Sequence, residues 1–204
     1  MSFNRVMIYS DEGVVVLGQR GSGKSKLLER ISYVFPRIVV YDPLMQHGGL
    51  GQIVSSPELL EKALRLDVAR IVYQPEIESE ESFDKACELV YLKGYYCFAA
   101  DEIDLYVTKH VLPTWFGELI KRGRNYGCGF VIVSRRTAEV NNHAIAFANH
   151  LFLFYHHLNA DIDYLKQWIG EDLARQVKAF PGHYFLYYHL EYPNETFVCE
   201  PLRI

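Results

Sequence analysis

Cysteine is scarce in this chain and poorly spaced for metal. Cys87, Cys97, Cys128 and Cys199 are its only four, no two form a CxxC pair, and three lie in apolar segments. That excludes a thiolate zinc site and a disulfide framework, and it suits a reducing compartment. Long apolar runs are lacking too: none approaches the roughly 18 residues of a membrane-crossing helix. The opening "MSFNRVMIYSDEG" has no apolar core of the export type, so the expectation is a protein soluble where it is made. Positive charge is not in excess, with 21 basic against 25 acidic residues and a net charge of -4. A general nucleic-acid coating protein is thereby disfavoured, and any contact with DNA requires a local patch. No repeat, linker or low-complexity segment interrupts the 204 residues. Half are apolar and 14% aromatic, enough to bury one sizeable core, so a single domain over 1–204 is expected.

Apolar runs of strand length alternate with stretches of helical period, the pattern of a mainly parallel sheet flanked by helices in an α/β fold. Strands are expected at 14–18, 37–43, 69–75, 95–102, 129–134 and 150–156. Helices are expected at 24–35, 55–67, 81–94, 113–122 and 138–148, with a two-helix segment over 160–179. Glycines at 48, 49 and 51 mark a loop, Ser55, Ser56 and Pro57 open a helix, and Gly94 closes one. The alternating "HYFLYYHLEY" and "ETFVCEPL", on either side of Pro193-Asn194, read as an antiparallel C-terminal hairpin whose aromatics belong to the core.

Residues 18–25, "GQRGSGKS", match G-x-x-x-x-G-K-[ST] directly after a strand and at the start of a helix. Glycine at 18, 21 and 23 lets the backbone curl so that successive N–H groups face phosphate oxygens at the positive end of the helix. Gly18, Gln19, Arg20, Gly21, Ser22, Gly23, Lys24, Ser25 and Lys26 are therefore the candidate nucleotide-binding set. Lys24 is suited to the β- and γ-phosphates of ATP or another nucleoside triphosphate, and Ser25 to Mg²⁺. The strand "YYCFAADE" ends on Asp101 and Glu102: one acid for Mg²⁺, the other to orient or deprotonate water. A second acid beside the metal-binding one favours hydrolysis over transfer to a small molecule. Asp104 and Glu118 read as a solvated loop acid and a helix acid. His143, His150, His156, His157, His183 and His189 lack zinc-site spacing.

The order "VVVLGQRGSGKS", "ADE", "KRGRNYGCGFVIVSRRTAEV" resembles the HerA/FtsK superfamily of DNA-pumping P-loop ATPases over about residues 14–155. Fewer than 20 residues precede the loop, so the expectation is a bare ATPase core. Such a core resembles the genome-packaging NTPases of icosahedral viruses with an internal membrane. The resemblance implies an additional-strand, catalytic-glutamate fold and a homo-oligomeric ring, a hexamer, with nucleotide between subunits. It implies hydrolysis that drives double-stranded DNA into a preformed capsid. It also implies capsid-vertex or internal-membrane partners, and a place in the host cytoplasm or at the packaging vertex. A nucleotide-switched assembly protein is the rival reading from another class.

The resemblance also ranks the arginines. Arg124, in the "GR-x-YG" segment, is the first candidate for a finger acting on the neighbouring subunit's γ-phosphate, and Arg122 the second; the last turn of a helix is the plain alternative for both. Ser134 ends the strand expected beside the phosphate loop, where its hydroxyl is suited to sensing the γ-phosphate or holding the attacking water; a plain turn residue is the alternative. Relatives carry glutamine at the next position, whereas this chain has Arg135, then Arg136. Arginine donates hydrogen bonds and cannot accept them, so Arg135 is suited to stabilising charge rather than orienting water. A subunit interface or an ion pair with an acid such as Glu139 is the alternative.

Overall fold

Short runs rich in Val, Ile and Phe, with no polar face to offer water, form strands only where both faces are covered. The computed structural model, which describes residues 6–202, places them in one continuous sheet. Its strands are β1 (Gly13–Leu17), β2 (Ile38–Tyr41), β3 (Gln52–Val54), β4 (Arg70–Tyr73), β5 (Cys97–Ala100), β6 (Phe130–Ser134), β7 (His150–Phe154), β8 (Phe185–His189) and β9 (Phe197–Cys199). Their spatial order is β3-β4-β2-β5-β6-β1-β7-β8-β9, parallel through β7 and antiparallel over the last two. β6 thus lies between β5 and β1, as expected of the additional-strand type.

The helices are α1 (Lys24–Ser32), α2 (Pro57–Arg65), α3 (Glu80–Lys93), α4 (Thr114–Arg122), α5 (Asn142–Ala146), α6 (Asn159–Ile169) and α7 (Glu171–Lys178). Ser56 caps α2 by accepting the Leu59 amide, with Pro57 at the first helical position; Ser79 and Ser82 form a reciprocal capping box on α3. The cover is unequal. Along β1 the side chains alternate: Val15 and Leu17 join the face covered by α2 through α7, with Phe83, Phe116, Ile145 and Val177. Val14 and Val16 meet α1 through Leu27, Leu28 and Ile31, with Val6, Ile8 and Leu202 packed at the margin.

Three expectations are corrected. The glycine-marked loop contains edge strand β3; a Cβ on Gly51 would lie 2.5 Å from the Arg70 carbonyl oxygen, so glycine lets the two strands close. The helix expected over 138–148 divides into a 3-10 turn at Thr137–Glu139 and α5, because Val140 is extended and Asn141 restarts the helix by accepting the His143 amide. The C-terminal hairpin has shorter strands than expected, although Phe185, Tyr187 and Tyr188 are core residues.

Candidate functional site

Because β1, β5 and β6 are parallel neighbours, their carboxyl ends meet on one edge of the sheet, the usual place for a site in an open α/β fold. They bring together Gly18 after β1, Asp101 and Glu102 after β5, and Ser134 at the end of β6. The loop is anchored by two sheet-like contacts: the Gly18 amide donates to Ser134 O at 3.2 Å and the Gln19 amide to Tyr155 O at 3.1 Å. Gly21 and Gly23 have φ of 78° and 104°, left-handed values that favour glycine. The first-turn amides of α1 have no intrahelical acceptor and open into the loop.

Lys24 is nearly buried and bends back over the loop, its Nζ donating to Gln19 O at 2.8 Å. Burial lowers its pKa, while Asp101, Asp104 and Glu102 oppose that shift. All three carboxylates are thus within electrostatic reach of the ammonium. Ser25 Oγ donates to Asp101 Oδ2 at 2.6 Å, so the two expected Mg²⁺ ligands converge. Two hard oxygens beside a phosphate-binding loop fit Mg²⁺, which keeps most of its shell as water and phosphate oxygen. The Ser22 hydroxyl, buried in the loop and without a hydrogen-bond partner, fits a loop built around an anion.

Glu102 adopts the left-handed conformation, φ 51° and ψ 44°, which turns its side chain away from the strand direction. Its backbone amide donates to Asp101 Oδ1 at 2.8 Å. Burial works against charge on Asp101, but His47, Ser25 and that amide overcome it and hold the pKa below the usual carboxylate value. Ser134 Oγ donates to Asp104 Oδ1 at 3.1 Å and accepts the Arg136 amide at 3.0 Å. Arg135 points back into the site, with Nη1 3.3 Å from Glu102 Oε1 and Nε 3.5 Å from Asp104 Oδ2. The Asp104 side chain is only 6% exposed, which corrects its reading as a solvated acid. The acids that pair with Arg135 are Glu102 and Asp104, not Glu139.

Arg122 and Arg124 lie elsewhere. Arg122 pairs with Glu118 at 3.0 Å and Arg124 with Asp11 at 3.4 Å, both as exposed pairs. Asp11 precedes the amino end of β1, so Arg124 is separated from the loop of its own chain by about the length of a five-residue strand, roughly 17 Å. Arg20 and Lys26 are exposed at the loop's rim.

Three side chains absent from the sequence-derived site belong beside it. His47 is 3% exposed, with Nε2 3.4 Å from Asp101 Oδ2 and Nδ1 3.8 Å from Glu29 Oε1; neither contact has hydrogen-bond geometry. Burial opposes its charged form, but Asp101, Asp42 and Glu29 outweigh burial and raise its pKa. Tyr33 and His183, with Phe154 and Leu202, line a largely apolar cavity of about 330 Å³ next to Gly23. No local signal marks these residues, since His47 follows a loop of unremarkable composition and the cavity joins α1 to the C-terminal segment.

Solved structures share this fold. The genome packaging NTPase B204 from Sulfolobus turreted icosahedral virus 2 in complex with ATP-gammaS matches with a TM-score of 0.84 and 17% identity, covering 96% of this chain and 100% of that one. This chain has the fold of that NTPase. B204, the DNA-packaging ATPase from Sulfolobus Turreted Icosahedral Virus, matches with a TM-score of 0.77 and 18% identity over 96% and 100%. The pCW3 conjugation coupling protein TcpA in its monomer form with ATPgS gives 0.54 and 16% over 92% of this chain and 59% of that one. No family model and no curated protein matches the sequence.

Proposed function

We propose that this protein is an ATP-hydrolysing motor that moves double-stranded DNA, a genome-packaging NTPase. The observation that carries the reading is the 2.6 Å contact of Ser25 with Asp101, beside Lys24 and Glu102 on an inserted-strand sheet. The likeness to structures named as packaging NTPases supports it. Lys24 and the loop amides bind the phosphates, and Ser25 and Asp101 hold Mg²⁺, which neutralises charge on the phosphates and helps align them. Glu102 takes a proton from the attacking water, and Ser134 orients toward the terminal phosphate from the end of β6. The cavity lined by Tyr33, Phe154, His183 and Leu202 takes the base, since its apolar walls flank the loop at Gly23.

Arg124, with Arg122 second, acts on the triphosphate of the next subunit in a homo-oligomeric ring, a hexamer. Its exposure and its place at the opposite end of the sheet fit a role outside its own chain. Double-stranded DNA passes through the centre, capsid-vertex or internal-membrane proteins anchor the ring, and the work is done in the host cytoplasm or at the packaging vertex.

The test is ATPase rate with and without double-stranded DNA, with particle mass measured in both. DNA-stimulated hydrolysis by a ring is the expected result. Phosphorylated product without bare hydrolysis would replace this reading with a phosphotransferase, and slow DNA-indifferent turnover with an assembly switch.

A further inference from the structure

One guanidinium, two carboxylates and a serine make a closed cluster at the end of β6. Arg135 meets Glu102 at 3.3 Å and Asp104 at 3.5 Å, while Asp104 is fixed in turn by the Ser134 hydroxyl at 3.1 Å. Asp104 is nearly buried and Glu102 28% exposed, so the Asp104 contact is the firm one and the Glu102 contact the exchangeable one. Ser134 carries the carbonyl that receives Gly18, which puts the cluster at the mouth of the loop. The carboxylate expected to accept a proton from water is therefore occupied by a guanidinium.

From this geometry we infer that Arg135 distinguishes triphosphate from diphosphate by exchanging Glu102 for the terminal phosphate. The inference rests on the proposed NTPase function. A partly exposed ion pair shifts an equilibrium by up to about fivefold, whereas a guanidinium fork meeting a phosphate makes two charge-assisted hydrogen bonds. Triphosphate draws the Arg135 Nη atoms away while Asp104 keeps Nε in place, and the Glu102 carboxylate is freed to meet water. Water oxygen then bonds to the terminal phosphorus, the bond to the bridging oxygen breaks with its electron pair leaving on the diphosphate, and the water proton passes to Glu102. Diphosphate does not reach Arg135, so the pair remains closed.

A double-mutant cycle in binding tests this without turnover. The affinities of ATPγS and ADP are measured by calorimetry, with Mg²⁺, for the wild type, Glu102→Gln, Arg135→Ala and the double variant. Glu102→Gln should tighten ATPγS two- to fivefold when Arg135 is present and by less when it is absent, and Arg135→Ala should cut the preference for ATPγS over ADP about tenfold. If Glu102 merely repels phosphate, its removal will help as much or more without Arg135, and the exchange is overturned. Equal weakening of both nucleotides by Arg135→Ala overturns it as well. A wild type that binds neither nucleotide overturns the NTPase function itself. Arg135→Gln replaces Arg135→Ala in the cycle if circular dichroism shows the alanine variant unfolded.

Discussion

His47 Nε2 and Ser25 Oγ both approach the same oxygen of Asp101, at 3.4 and 2.6 Å. One is a buried ring and the other a loop hydroxyl, so the carboxylate is held from two elements. The loop carrying His47 is itself pinned, because Asp42 accepts the Gln46 and His47 amides and the Gln74 side chain.

His47 is therefore expected to support Mg²⁺ binding from behind Asp101. Partners of this kind change metal affinity on the order of 10- to 100-fold. His47→Ala should raise the Mg²⁺ concentration for half-maximal hydrolysis by about that factor, and an unchanged requirement would remove His47 from the site.

Glu102→Gln preserves shape and removes the proposed proton acceptor. Turnover should fall on the order of 10²- to 10⁴-fold while nucleotide binding persists. Retained hydrolysis would require another base.

Arg124→Ala and Lys24→Ala should each abolish activity alone. Mixing the two variants should restore part of it, since a ring of the proposed kind would then contain some interfaces with an intact loop facing an intact arginine. Absence of rescue would place Arg124 outside the reaction.

His156 links the 3-10 turn at Thr137 to the end of β7: Nε2 and the Thr137 hydroxyl share a hydrogen bond of 2.5 Å, and Nδ1 donates to Phe154 O at 2.6 Å. Burial disfavours the charged ring and pushes its pKa down to about 4. Since the folded value lies below the unfolded one of about 6.5, the unfolded chain binds the extra proton between them. Stability from this site is complete above about pH 6.5 and is lost as pH falls toward 4, by on the order of 2–3 kcal/mol. Urea unfolding across that range should show the loss, and His156→Asn should reduce its steepness.

The loop and the acid pair were legible because each is a run of consecutive residues whose chemistry and strand context can be read locally. Ser134 was placed at the correct strand end for the same reason. Asp104 was misread because its burial depends on Ser134 and Arg135, 30 and 31 positions further along the chain, and sequence offers no signal for that meeting. His47 was missed on similar grounds, as its partners are on α1 and after β5. The helix expected across Val140 shows the limit of apolar period, which is blind to a cap that restarts a helix after an extended residue.

β6 runs buried from the segment bearing Arg124 to the segment bearing Arg135. Its five residues are laced to β1 on one side and to β5 on the other, so it has little freedom to bend or slip alone. Whatever displaces one end must carry the other with it. In a ring of the proposed kind, such a strand would tie the phosphate pocket of one subunit to the arginine it offers the next.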